Sequence, residues 1–393
     1  MLPRAAAGTA LRLAAYYPVV AITGPRQAGK TTLARAAFPD KPYVSLEDPD
    51  TRSHAAADAR GFLALYPDGA VFDEAQRAPE LFSYLQTLVD NDGRKGLFVL
   101  TGSQQFGLLD GISQTLAGRV GLLHLLPFSL AELSQAGLVP DLETLLWHGL
   151  YPPIHDRAIP PSQWYADYMS TYVERDVRQM VNVRDLSSFR RFVRMCAART
   201  AQVLNLSALA TDCGITHNTA KAWLSVLEAS YLVMLLPAHH RNFGKRLVKA
   251  AKLYFYDPGL AAWLVGLDSP RLLALGAMRG PLFETWAVSE FVKYRCNHAL
   301  APELHYWRDS NGREIDLLVG RGERLLPIEI KAGQTLAGDW FDNLSSFSQW
   351  TGQPGGCLIY GGPTRQRRKG VEVFGWREID AAAALAFSSP LSA

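Results

Sequence analysis

Apolar residues in the first hundred positions gather in short continuous runs, not in long helical stripes. Residues 19–22, 70–72 and 97–100 form such runs, and each has the length of a strand buried on both faces. All three break off into small or acidic residues: Thr23-Gly24, Asp73-Glu74 and Thr101-Gly102. The segment 2–17 is basic and alanine-rich; it leads at once into the first run, so it is expected to be a helix of the fold and not a cleaved leader. The pattern predicts an α/β domain, in which ligands lie at the carboxyl ends of the strands.

The middle of the chain changes period. Residues 206–214 and 216–227 predict two helices around Gly214. Ile215, Ala220, Trp223, Leu224 and Leu227 fall on one side of the second, leaving Thr216, His217, Asn218 and Lys221 free to face outward. Two strand-like runs follow, 231–236 and 253–256. Between them stands His239-His240-Arg241-Asn242-Phe243-Gly244-Lys245-Arg246 with Lys249 and Lys252, expected as the exposed tip of a hairpin. Helix, tight turn, helix and basic hairpin make a winged helix-turn-helix, whose second helix can enter a major groove while the wing touches phosphates. Such modules also serve as spacers between proteins, and the pattern leaves both uses open. A second basic stretch, 175–199, carries Phe189, Phe192, Val193 and Cys196 at helical spacing, which a helix with a solvated basic face would explain. The last third predicts a helix over 282–292 and strands over 304–308, 314–319 and 325–331.

Composition narrows the class. A chain of 393 residues with 48% hydrophobic and 20% charged residues can bury more than one core, and two or three domains are expected. No apolar run approaches the roughly 18 residues that a membrane-spanning helix needs. The formal net charge of +3 is too small to argue for nucleic acid, so the placement of charge matters more than its sum. Cys196, Cys213, Cys296 and Cys357 are far apart and form no C-x-x-C pair; they predict buried thiols in a reducing cytoplasm, not a zinc or disulfide framework.

The chemistry begins at Gly24-Pro25-Arg26-Gln27-Ala28-Gly29-Lys30-Thr31-Thr32, which completes G-x-x-x-x-G-K-[ST] between a strand and a helix. In that setting the glycines let successive amides turn inward on phosphate, and the helix start adds its positive end. Lys30 would reach the β and γ phosphates of ATP and the Thr31 hydroxyl would hold Mg²⁺. Asp73, ending the next apolar run, is the expected second metal residue, and Glu74 the residue that positions the attacking water. Thr101 or Ser103, at the end of the third run, is placed to sense the γ phosphate, and a polar cap on the loop is the alternative. In the last third, Asp316 on one strand and Glu329 with Lys331 on the next would share a face, because side chains alternate along a strand. Two such carboxylates can hold a divalent metal against a phosphodiester, with the lysine stabilising charge and Glu284 from the preceding helix as a further acid. A surface ion pair would also account for E-x-K.

The order of helix Glu284, strand Asp316 and strand Glu329-Ile330-Lys331 resembles the PD-(D/E)xK restriction-endonuclease-like fold. Taken with Leu116-Ala117-Gly118-Arg119, Leu126-Pro127-Phe128-Ser129 and Tyr306-Trp307-Arg308, the whole chain resembles a prokaryotic family of AAA-type ATPases with a C-terminal domain of unresolved role. The resemblance implies ATP binding and hydrolysis. It also implies a division into an AAA-type P-loop domain over 1–155, a helical lid and winged helix over 156–272, and a nuclease-like α/β domain over 273–393. Arg119 resembles the position from which such ATPases supply an arginine finger to a neighbouring subunit, and a structural ion pair is the alternative. The expectation is therefore a cytoplasmic, Mg²⁺-dependent homo-oligomeric ATPase acting on or near DNA. Rival expectations are a nucleotide-controlled DNA-binding switch without nuclease activity and a signalling or defence ATPase with a protein partner.

Overall fold

The first apolar run becomes strand β1 (Val19–Thr23), buried at all five positions. In the computed structural model, the described residues are 2–103, 111–112, 115–173, 185–239, 250–301, 303–321, 324–353 and 355–388. They divide into two units. The first is Met1–Phe128 with Ala229–Tyr231 and Cys296–Leu300, and the second is Ser129–Glu228, Leu232–Arg295 and Ala301–Ala393.

In the first unit, β1 is joined by β2 (Tyr43–Ser45), β3 (Val71–Asp73), β4 (Phe98–Gly102) and β5 (Val120–His124). The sheet runs β2-β3-β4-β1-β5 and every neighbouring pair is parallel. Parallel neighbours need crossover connections, and the helices Lys30–Ala37, Pro49–Ala57, Ala59–Ala64 and Glu80–Asp92 lie between the strands in sequence. Both faces are covered. Val19, Ala21, Phe72, Phe98 and Leu100 pack with Phe62, Leu81, Phe82 and Leu85. The intervening positions Val20, Ile22, Val71, Val99 and Leu123 pack on the opposite face with Ala10 and Leu33. This burial of alternate positions on two faces is why the strands read as unbroken apolar runs. The register sets Ile22 beside Thr101 and Phe72 beside Leu100, so the ends of β1, β3 and β4 lie level.

The helix expected over 2–17 is confined to Ala7–Tyr16, and Arg4 precedes it. No described helix is long and apolar enough to cross a membrane.

The second unit contains the helix pair. Asn205 caps the helix Leu206–Cys213 by accepting from the Ala208 amide, and Gly214 ends it at φ 68°, a left-handed turn that glycine takes without strain. The helix His217–Ala229 follows. Ala220, Trp223, Leu224 and Leu227 are buried, while Thr216, His217, Asn218 and Lys221 are exposed, as the pattern predicted. Trp223 meets Phe189 and Phe192 edge-on at 5.3 and 5.6 Å, which gives the apolar stripe of the helix Leu186–Ala197 a packing partner. Strands β6 (Gln202–Val203), β7 (Val233–Leu236) and β8 (Lys252–Phe255) form an antiparallel sheet in the order β6-β8-β7. Residues 240–249, including Arg241, Lys245, Arg246 and Lys249, lie outside the described residues, as do 175–184 of the other basic stretch. Lys252 is a correction: expected at the exposed tip, it is 2% exposed.

The rest of this unit is a mixed sheet. Strands β9 (Leu304–Arg308), β10 (Glu314–Arg321), β11 (Arg324–Lys331), β12 (Cys357–Tyr360), β13 (Gln366–Arg368) and β14 (Val371–Gly375) lie in the order β13-β14-β12-β11-β10-β9. The first three pair antiparallel, whereas β11, β12 and β14 are parallel. The long helix Arg279–Asn297 precedes β9 in sequence. Trp307, Ile315, Leu318, Phe341, Phe347 and Leu358 share one core.

Candidate functional site

The loop after β1 is shaped by backbone that few residues can adopt. Gly24 has φ 144°, and a Cβ there would lie 2.0 Å from the carbonyl oxygen of Leu125. Gln27 and Gly29 also have positive φ, 61° and 90°. The helix Lys30–Ala37 begins directly after Gly29, so its free amides face the loop. Lys30, 6% exposed, donates from Nζ to the carbonyl oxygens of Gly24 and Pro25 at 3.0 and 2.7 Å. Its ammonium therefore already lies along the loop that would hold phosphate.

Level strand ends gather the remaining groups. Thr31 Oγ1 donates to Asp73 at 2.9 and 3.1 Å from its two oxygens. Tyr43 donates to the same carboxylate at 2.7 Å; burial first, and then this bond, pushes its phenol up to about 12. Thr101 also donates to Asp73 and accepts from the Glu74 amide. Glu74 stands in a left-handed turn, φ 54°. Its Oε2 accepts from Gln76 Nε2 at 2.5 Å and Ser103 Oγ at 3.0 Å. Thr101 thus fastens Asp73, and Ser103 fastens Glu74; Gln104 lies outside the described residues. A hydroxyl and a carboxylate within about 3 Å of each other are the hard oxygen donors that Mg²⁺ takes, so Thr31 and Asp73 fit that ion.

Several neighbours carry no motif signal. Arg4 donates to the carbonyl oxygens of Ala28 and Leu126 at 2.5 and 2.7 Å and lies over the Phe128 ring, tying the loop to the segment after β5. Thr23, just before the loop, bonds His124 Nδ1 at 2.7 Å and Tyr231 OH at 3.1 Å. Arg4→Ala is expected to weaken ATP binding about tenfold, the worth of one or two such bonds, with Arg4→Lys recovering part of it; isothermal titration of nucleotide would measure both. Equal affinity in wild type and Arg4→Ala would mean that the brace does not shape the loop.

Arg119 is engaged. It grips Asp90 through Nε at 2.5 Å and Nη2 at 2.8 Å, with both side chains partly exposed.

The acidic residues of the C-terminal sheet divide into two groups. Glu284, Glu314 and Asp316 each bring one oxygen to a common point, within 4.8 Å of one another. Glu329, expected with them, instead accepts from Lys331 at 2.6 Å, and Lys331 lies 3.7 Å from Asp316. Oε2 of Glu329 is buried without a hydrogen-bond partner among the described residues. Burial, reinforced by Asp316, raises this carboxyl to about 8 against the pull of Lys331. The Ile330 amide donates to Asp316 at 2.8 Å.

At the centre of the trio stands Lys252. Its Nζ is 2.8 Å from Glu284, bonded to Glu314 and 3.8 Å from Asp316. Tyr254 donates to the same Glu284 oxygen at 2.6 Å. Burial lowers the lysine's proton affinity, but Tyr254 and the three carboxylates outweigh it and hold the ammonium well above its ordinary pKa. Glu284 is raised to about 7, by burial and then by Asp316, with Lys252 opposing. A metal ion would need these oxygens at about 2.0–2.6 Å, in the space the ammonium fills.

Comparisons agree with the N-terminal geometry. An AAA domain matches residues 16–134, and two domains of unknown function, DUF8612 and DUF4143, match 139–271 and 279–379. The first unit is a P-loop ATPase domain of the AAA type. The uncharacterized proteins Rv2008c of Mycobacterium tuberculosis and Mb2031c of Mycobacterium bovis are each 32% identical over 324 residues, covering 81% of this chain and 71% of theirs. The chain belongs to the same family of AAA-domain proteins. Among solved structures, the Walker-type ATPase PABY2304 of Pyrococcus abyssi is similar at 15% identity and TM-score 0.46, over 66% of this chain and 94% of its own. AMPPCP-bound DnaA from Aquifex aeolicus is similar at 16% identity and TM-score 0.31, over 56% and 85%. Similarities of this size decide nothing further about this fold.

Proposed function

We propose that the protein is a Mg²⁺-dependent ATPase that acts on or near DNA and assembles as a homo-oligomer in the cytoplasm. The observation that carries the ATPase reading is the pair of Thr31 and Asp73, 2.9 Å apart beside the Lys30 loop. In this reading residues 24–32 wrap the phosphates, with amides from Gly24 to Thr32 and the Lys30 ammonium exchanging its loop carbonyls for phosphate oxygens. Thr31 and Asp73 would hold Mg²⁺, which offsets phosphate charge when bound. Oε1 of Glu74, the oxygen that Gln76 and Ser103 leave unused, would orient the attacking water. Ser103 would relay the presence of the γ phosphate to Glu74. The four described cysteines are buried thiols, which suits a reducing compartment.

Action on DNA is supported by the exposed polar edge Thr216, His217, Asn218 and Lys221 at the start of the second helix of the pair. Turnover measured with and without single-stranded, duplex and branched DNA tests it: stimulation supports the reading, and indifference to all three favours a protein partner. Neutralising Arg241, Lys245 and Arg246 together is expected to weaken DNA binding about equally across sequences. It should also flatten the salt dependence of binding, by about 0.9 in log–log slope for each phosphate that the wing no longer neutralises. Salt-insensitive binding in the wild type would remove the wing from the interface.

A specific observation favours the second reading, a nucleotide-controlled DNA-binding switch that does not cut. Lys252 fills the point where Glu284, Glu314 and Asp316 converge. For a metal-dependent nuclease at Asp316, Glu329 and Lys331, the Asp316→Ala/Glu329→Ala variant would lose all Mg²⁺- or Mn²⁺-dependent cleavage while still binding DNA. For a switch, the wild type itself cleaves nothing.

A further inference from the structure

We infer that Lys252 is the resident cation of the C-terminal acidic centre: its ammonium takes the place of a divalent metal, and removing it opens a metal site on Glu284, Glu314 and Asp316. The inference rests on the non-cutting reading of this sheet and is independent of the ATPase.

Four elements meet at this point. Lys252 comes from β8, Glu284 from the helix Arg279–Asn297, and Glu314 and Asp316 from β10. Glu314 and Asp316 are two positions apart on one strand, so they point to the same face. β11 adds Lys331, which approaches Oδ2 of Asp316 at 3.7 Å, whereas Lys252 faces Oδ1. The groups facing the centre are therefore the three carboxylates, the Lys252 and Lys331 ammonium groups and the Tyr254 hydroxyl, which bonds Glu284. The Arg308 guanidinium holds the other oxygen of Glu314 at 3.2 Å, and Glu329 pairs with Lys331 beside them.

The charges show why lysine and metal exclude each other. Three carboxylates close together repel, and an isolated buried charge is not tolerated unless it is paired. Arg308 and Lys331 offset part of this charge from the side, but Lys252, 2% exposed, is the cation that faces all three carboxylates, and its tether to the same chain means that its local concentration never falls. A divalent ion arriving from solvent would have to displace an ammonium already bonded to Glu284 and Glu314, or bind within a few ångströms of it. Even at a protein-like effective dielectric, the repulsion between charges of +1 and +2 at that separation outweighs a factor of about 100 in affinity. The same lysine cannot leave easily, because β8 holds its backbone between β6 and β7.

The test is Mn²⁺ binding to the full-length chain without nucleotide, followed by electron paramagnetic resonance. Wild type is expected to show no site lost on Asp316→Asn. Lys252→Met is expected to gain one Mn²⁺ per chain, at least about 100-fold tighter than any binding in the wild type, and Lys252→Met/Asp316→Asn to lose it. Because removing one buried ammonium can unfold the chain, Lys252→Met/Glu314→Gln is measured in parallel. It removes one charge of each sign and keeps Glu284 and Asp316 as ligands, so it too should gain a site. A wild-type site that disappears in Asp316→Asn overturns the inference. So does a folded Lys252→Met or Lys252→Met/Glu314→Gln protein, verified by circular dichroism, that binds no Mn²⁺. DNA cleavage by the wild type would instead defeat the non-cutting reading, and the two failures are told apart because ion binding is read without DNA.

Discussion

Glu74→Gln will bind ATP about as tightly as the wild type and turn it over at least about 10²-fold more slowly, the usual worth of a residue that positions or deprotonates the attacking water. The substitution keeps the size of the side chain and an oxygen for Gln76 and Ser103, which sit 2.5 and 3.0 Å from Oε2. Only the charge near the water is lost, so the ground state is spared. Lys30→Ala should behave oppositely. Its ammonium is a ground-state phosphate ligand, and each hydrogen bond to a charged group is worth about 1.5–3 kcal/mol, so nucleotide binding should fall about tenfold to a hundredfold and turnover with it. Fluorescent-nucleotide titration and phosphate release separate the two variants. Normal turnover in both would remove the ATPase assignment, and weakened binding in Glu74→Gln would mean that Glu74 shapes the pocket and does not act on the water.

The parts of this site that were legible in the sequence are those set by local spacing. The loop from Gly24 to Thr31 needs glycine where the backbone meets Leu125 and a lysine where a helix starts, and both requirements are consecutive in the chain. Strands β1, β3 and β4 were legible because burial on both faces makes each an unbroken apolar run. β2 and β5 were not: β2 has three residues with Tyr43 exposed, and β5 alternates between buried and half-buried positions around Gly121. Arg4 left no signal because its partners are backbone carbonyls, Ala28 and Leu126, which any residue supplies. Lys252 was legible only as one more cation in a basic stretch. Its partners lie 32, 62 and 64 positions downstream at Glu284, Glu314 and Asp316, and no local period reports a meeting of that kind. Glu314 was missed for the same reason: on β10 it reads as a solvated strand end, and only the fold brings it to Asp316 and Glu284.

Arg119→Ala is expected to bind ATP normally and hydrolyse it about 10³-fold more slowly if its guanidinium serves as a finger in a neighbouring subunit. In the single chain that guanidinium is committed to Asp90, so it would have to exchange this carboxylate for a phosphate across the subunit interface. The magnitudes separate the two roles. A solvent-screened, partly exposed ion pair contributes little to stability, so losing it would barely move the melting temperature and could not account for a thousandfold fall in turnover. Asp90→Asn then decides. It breaks the same pair but leaves the arginine free, so a finger keeps its turnover or gains some, whereas a residue that acts only through the pair loses as much in Asp90→Asn as in Arg119→Ala. Mixing Arg119→Ala with Glu74→Gln should restore part of the activity, because a shared site can then pair an intact Glu74 with an intact Arg119 from different chains. Turnover independent of protein concentration, with no recovery on mixing, would return Arg119 to the role of a structural ion-pair partner of Asp90.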